Sequence, residues 1–260
     1  MLIAPDMRIA ALALLGACTF TPGEPMTPGG GSGSGSDPGG TPGGVDAAPV
    51  ANRPACDLND TSLQLCLDFE ATPLGLDSSL GQHDATCTHV QTTPRLAEQA
   101  VAVDTTSMIH VDHTAALEIA DAITYEVWVY PVSPAPPGGF VVLNNSGEYS
   151  ITLQSDGKAR CSIGANHVDS KDPISLGAWT HLACTYDRSH LDIYVQGDAS
   201  ACSSYSTQIA TGGVAGTTIG APFLGAIDNV HVLSRAASRD DICSHAGRSS
   251  CSNNCSGSDG

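Results

Sequence analysis

Basic residues are scarce in this chain: ten Lys and Arg stand against 27 Asp and Glu, a net charge of −17 at pH 7. So acidic a surface repels phosphates and anionic lipid, which excludes nucleic acid as a partner and any membrane contact driven by charge. Rings are few as well, two Trp, six Tyr and four Phe, which leaves little for a sugar-stacking platform. The apolar run Ile9–Leu15 falls far short of the ~20 residues a spanning helix needs. No Gly-x-Ser-x-Gly elbow, phosphate loop or dinucleotide fingerprint occurs, so common signatures of hydrolases and nucleotide enzymes are missing. The close pair His110-x-x-His113 lacks the helical setting in which paired histidines bind zinc.

What is there begins with an address. Met7-Arg8, the run Ile9–Leu15 and Leu15-Gly16-Ala17-Cys18 supply a basic n-region, an apolar h-region and small residues before a cut site, the layout of a secretory signal. A start at Met7 would drop Asp6 and leave the n-region cleanly basic. The Leu-Gly-Ala-Cys end resembles the lipobox of bacterial lipoproteins. That resemblance implies acylation of Cys18 and cleavage before it; an ordinary cleaved signal is the alternative. Two or more acyl chains anchor a protein firmly. The chain is therefore expected to be exported and lipid-anchored to the bacterial envelope, at the outer membrane or cell surface, touching the membrane through lipid alone.

Residues 1–18 are the signal. Residues 19–53, rich in Gly, Pro and Ser, have almost nothing to bury and read as a disordered tether, with a mean reach of ~30–35 Å for a flexible coil of this length. Residues 54–247 are expected to form one domain, and 248–260 a flexible Cys/Ser/Gly-rich tail. Ten Cys in an exported chain read as disulfides rather than metal ligands. Acylating Cys18 leaves nine, an odd number, and hence one thiol over. Cys161 and Cys184 are the preferred pair, each inside a short apolar strand, the two strands being joined by one loop; the remaining pairings stay open.

From Leu63 onward short apolar runs alternate with turn residues. Ile123, Tyr125, Val127 and Val129 share one face of a strand. Further strands are expected at 65–70, 101–103, 108–111, 140–143, 149–153, 159–163, 179–186, 191–195, 217–219 and 226–233. Many short strands separated by Gly, Asp and Pro mark an all-β, two-sheet antiparallel sandwich. One short helix is expected over Ala237–His245, capped by Ser238 with Asp241 three residues on, as in a capping box.

Three blocks carry a resemblance. They are Leu65-Cys-Leu-Asp-Phe-Glu70 with Asp77-Ser78-Ser79; Ile123-Thr-Tyr-Glu-Val-Trp-Val-Tyr-Pro131 with Gly177-Ala-Trp179-Thr-His-Leu-Ala-Cys-Thr-Tyr-Asp187; and Phe223-Leu-Gly-Ala-Ile-Asp-Asn-Val-His-Val-Leu-Ser-Arg235. In order and spacing they resemble the laminin-G-like (LamG), concanavalin A-like lectin/glucanase jelly roll of secreted bacterial proteins. The resemblance implies that the strands near Leu65 and Val230 lie side by side. Trp179 is expected to fill space between the sheets.

The family often holds one structural Ca²⁺, which points to Asp77 and Asp228, with Asn229 a weaker ligand; the other reading is that Asp77 shapes a turn and Asp228 bonds locally. The catalytic Glu-x-Asp-x-x-Glu cluster of the glucanase branch is missing, and Glu126 is a lone acid in an apolar strand. Asp68 and Glu70 are read as a solvated outer face. Tyr149 and Tyr205 are the aromatics nearest loops. The reading is a non-catalytic surface lipoprotein that binds carbohydrate or an extracellular or envelope protein, its ligand residues unknown. A glycan hydrolase or lyase on the same fold, or a purely structural or adhesion component, are the alternatives.

Overall fold

The computed structural model describes residues 56–253 and 255, so Cys18, the signal and the tether lie outside the described residues. The strands in chain order are β1 (Leu63–Leu67), β2 (Ala85–Thr88), β3 (Gln91–Arg95), β4 (Glu98–Val103), β5 (Met108–Val111), β6 (Ile123–Pro131), β7 (Phe140–Asn145) and β8 (Tyr149–Leu153). They continue as β9 (Ala159–Ile163), β10 (Asn166–Asp169), β11 (Thr180–Tyr186), β12 (His190–Val195), β13 (Asp198–Ser204), β14 (Thr217–Ile219) and β15 (Gly225–Leu233), before helix α1 (Arg239–His245). All pairings are antiparallel. Sheet I runs β13-β12-β11-β6-β15-β4-β3, with β1 also on β15, and sheet II runs β10-β9-β8-β7-β14-β5-β2. This is the expected two-sheet jelly-roll sandwich.

Alternation builds the core. Ile123, Tyr125, Val127 and Val129 of β6 point between the sheets and meet Leu143, Tyr149 and Ile151 of sheet II. Each such side chain contributes roughly 1.5–3 kcal/mol on burial. Tyr149 belongs here and not to a loop surface: it is fully buried, its ring 5.2 Å from that of Tyr125. β1 lies beside β15 with Leu67 opposite Val230, so the first and last strands seal the sandwich. The disulfide Cys161–Cys184 ties β9 of sheet II to β11 of sheet I. β1 stops at Leu67; Asp68 and Glu70 lie beyond it, accepting hydrogen bonds from the Ser78 hydroxyl and the Gln99 amide.

The two outward faces differ. That of sheet I is covered: Ala237 and Ile242 from the α1 region pack on Ala183, Tyr194 and Ala199, while Cys56 packs on Leu63, Cys66 and Leu233. Hence Thr124, Glu126 and Trp128 of β6 are buried although they face away from the core. α1 starts on a capping box between Ser238 and Asp241. Within the stretch expected as a flexible tail, the described residues 248–253 and 255 are tied to the domain. Disulfides join Cys243 to Cys251 and Cys202 to Cys255, Arg248 pairs with Asp198, and the Ala199 amide donates to the Ser252 carbonyl. Two covalent ties oppose the flexibility that its Ser and Gly residues confer. Cys56–Cys66 is the fourth disulfide, and Cys87 is the free thiol among the described residues.

Candidate functional site

The covered face of sheet I holds two polar clusters, both arranged by a bulge in β15. Asp228 opposes Trp128 and His231 opposes Glu126, so three steps on β15 match two on β6. The extra residue lets Asp228 and His231 share one face despite their odd spacing. Asn229 takes the bend at φ 47°, a left-handed conformation that Asn tolerates better than most residues.

In the first cluster Arg95, the last residue of β3, donates from Nε to Asp228 and from NH2 to Glu98, the latter at 2.6 Å. Its guanidinium carbon lies 4.8 Å from the ring centre of Trp128 and 5.7 Å from that of Trp179. Trp179 is therefore on the outer face, its ring 5.5 Å from that of Tyr130, and not between the sheets. The single Gly177-Ala178 step before it sets it outside β11, where a guanidinium offers a cation–π partner. Burial raises the Asp228 carboxyl to about 7, despite the pull of Arg95 and the Asn229 amide, and the charge of Glu98 adds to the rise.

In the second cluster Glu126, 1% exposed, faces three imidazoles. His231 Nδ1 and His245 Nδ1 each lie 2.8 Å from Oε1, and His181 Nε2 lies 3.3 Å from Oε2. Burial pushes this carboxyl up. The charge of His245 and hydrogen bonds from His181, His231 and His245 outweigh it and hold the group well below its ordinary range.

The aspartates expected to share a calcium ion do not fit one. Asp77 Oδ1 accepts from the amides of Cys66 and Ser79, and Oδ2 from the Ser79 hydroxyl and the His83 amide. Those four donors use the carboxylate to shape the 77–83 loop. Asp228 is taken by a guanidinium, whose charge repels a cation, and its other oxygen accepts from the amide of Asn229. Among the described residues, the groups of three or more close His, Cys, Asp or Glu ligand atoms include neither aspartate. One such group combines His231 with Cys56 and Cys66 and the other combines Asp192 with Cys202 and Cys255, and in both the sulfurs are committed to disulfides.

Sheet II presents an open face. Strand register sets Thr86 beside His110, His110 beside Thr218, and Thr218 beside Asn144. The row goes on through Ser150 and Ser162 to His167. Because neighbours in the row directly oppose one another, all seven side chains leave the same face. They are half-buried or exposed. Seven strands at ~4.8 Å spacing give a row about 29 Å long. None of the seven is an acid or a strong base, in a chain with a net charge of −17. Hydroxyls, an amide and imidazoles both donate and accept hydrogen bonds. At its Thr86 end the row meets a cleft of about 410 Å³ lined by Leu74, Cys87, His89 and Val90 among others. Burial raises the Cys87 thiol, which keeps it protonated and a poor nucleophile. No sequence pattern announces this row, since it exists only once seven strands are in register.

A sandwich of this topology, with one covered and one open face, defines a lectin/glucanase-like jelly roll. The chain belongs to the Laminin_G_3 family of the concanavalin A-like lectin/glucanases superfamily, whose model matches residues 103–243. Among solved structures it is similar to domain 4 of AbnA, a GH43 extracellular arabinanase from Geobacillus stearothermophilus, in complex with arabinotriose. The TM-score is 0.60 at 19% identity, over 71% of this chain and 98% of that one. The binding domain of botulinum neurotoxin DC in complex with rat synaptotagmin II matches with TM-score 0.56 at 14% identity, over 72% of this chain and 51% of that one. The binding domain of Paraclostridial Mosquitocidal Protein 1 matches with TM-score 0.56 at 14% identity, over 71% and 52%. At these identities the likeness is one of fold, and the chain spans about half the length of the two toxin domains. No curated protein matches the sequence.

Proposed function

We propose that this chain is an exported, lipid-anchored, non-catalytic binding domain that docks an uncharged glycan strand across the open face of sheet II. The observation that carries the reading is the uncharged row Thr86–His110–Thr218–Asn144–Ser150–Ser162–His167. A polyhydroxylated ligand exchanges hydrogen bonds with such side chains without the desolvation cost of a buried charge. The arabinotriose complex named for domain 4 of AbnA, which shares this fold, lends support. Non-catalysis is supported by the carboxylates. Glycosidases need two acids that flank the scissile bond, whereas Asp228 and Glu126 are closed off beneath Arg95 and the histidines. The anchor rests on Leu15-Gly16-Ala17-Cys18.

A glycan array combined with a reducing-sugar assay tests this. Neutral glycans should bind without product release, and Thr218→Tyr, which stands a ring in the middle of the row, should weaken binding at least about tenfold, ~1.4 kcal/mol. Release of sugar, or binding untouched by both Thr218→Tyr and Ser150→Tyr, would overturn it. Binding only to a protein ligand would replace the glycan with the other partner class.

A further inference from the structure

We infer that Glu126, His181, His231 and His245 form an acid-sensitive latch that clamps α1 and the disulfide-tied C-terminal stretch to sheet I. Four elements meet at one carboxylate: β6 supplies Glu126, β11 His181, β15 His231, and the last turn of α1 His245. Only α1 is short enough to depend on the contact. Seven residues are well below the length at which a helix persists unaided. Besides His245, it is held by Ile242, the Cys243–Cys251 disulfide, the ion pair of Asp241 with Arg235 and the bond from Arg239 to the Asn253 carbonyl.

The charge count gives the latch its direction. Glu126 stays ionised in mild acid because its carboxyl is held low. The first imidazole to take a proton is matched by that one negative charge. A second or third is not, and like charges in a buried site oppose one another strongly. His245 is the accessible member, its side chain 31% exposed against 12% for His231 and 2% for His181. The other charged groups on the elements packed here have partners of their own. Asp228 on β15 has Arg95, and Asp241 on α1 has Arg235, which also binds Asp60. Asp192 on β12 feels Arg239 of α1, Asp68 lies by Cys56, and Cys56 and Cys66 beside His231 are an uncharged disulfide.

Amide hydrogen exchange on the full chain, corrected for intrinsic rates, reads the latch directly. Between pH 7.5 and 5 the protection of residues 239–245 should fall about tenfold or more, the factor that one proton bound differently across one pH unit produces. Protection of β8 and β9, on the other sheet, should hold. His245→Gln should make the protection of α1 independent of pH over this range, whereas Glu126→Gln, which removes the one matching charge, should make the fall begin at a higher pH. Constant protection of α1 in the unaltered chain would overturn the latch, and so would a fall that persists in His245→Gln. That variant changes a third-exposed side chain, so it reports even if Glu126→Gln does not fold.

Discussion

Glu126 and Asp228 face outward from adjacent strands of sheet I, and their surroundings move them in opposite directions: Glu126 is held well below its ordinary range and Asp228 is raised to about 7. Both are buried, so burial alone does not separate them. Glu126 collects three imidazole partners, whereas Asp228 shares its single guanidinium with Glu98. For Asp228, with a folded value above the unfolded one, the stabilising contribution is complete below about pH 4 and is lost as pH rises through 7. For Glu126 the contribution is complete above its unfolded value near 4.5 and is lost only in stronger acid.

Asp228→Asn should therefore gain stability relative to the unaltered protein as pH rises from 5 to 8. A shift of this size is worth on the order of a few kcal/mol. Melting temperatures of both proteins measured in parallel across that range isolate the effect, and a difference that does not change with pH would contradict it.

Removing the cation instead of the anion should do harm. Arg95→Met leaves Asp228 buried without its partner, and breaking a buried pair from one side costs roughly 3–5 kcal/mol. The loss should be larger at pH 8 than at pH 5, where Asp228 carries a proton. Paired substitution of Arg95→Met with Asp228→Asn should recover part of it. Denaturant unfolding of the three variants at the two pH values checks the pattern.

The strands that alternation reveals and the ones it misses differ in position. β6, β8, β9 and β11 lie inside their sheets, and their Ile, Val, Leu and Tyr residues announce them. The four unexpected strands, β2, β3, β10 and β13, are the ends of the two sheet paths. Edge strands can be polar and tolerate proline, as the Gln, Thr and Pro of β3 and the Asp and Ser of β13 show. Glu126 stands out as an acid in an apolar strand, but its histidines lie 55, 105 and 119 positions later (181 − 126, 231 − 126, 245 − 126). Register alone unites them. The size of its ring favours an inward Trp179; Arg95, distant in sequence, is what draws it out.

Asp77 should matter to the loop it organises and not to calcium. Millimolar Ca²⁺ added to chelated protein should leave melting unchanged, because a cation that binds no folded-state site gives no linkage stabilisation. Asp77→Ala should destabilise by about 2 kcal/mol or more, since it strips partners from the amides of Cys66, Ser79 and His83, and charged acceptors of this kind are worth ~1.5–3 kcal/mol each. A calcium-dependent rise in melting temperature would show that the carboxylates rearrange to take the ion.

Thiol chemistry checks the pairing. In a Cys18→Ser chain, the four disulfides leave one thiol, Cys87. Under denaturing but non-reducing conditions a thiol reagent should find one group per chain. In the folded state that group should react slowly, because it is half-buried and burial raises its titration, and only the thiolate is nucleophilic. Replacing Cys161 and Cys184 together by Ala should cost roughly 3 kcal/mol by the loop-entropy relation, since the bridge closes a separation of 23 residues and joins the two sheets. Three reactive thiols in place of one would mean that one of the four bridges is open in the native protein, and the bridge whose removal leaves stability unchanged would identify it.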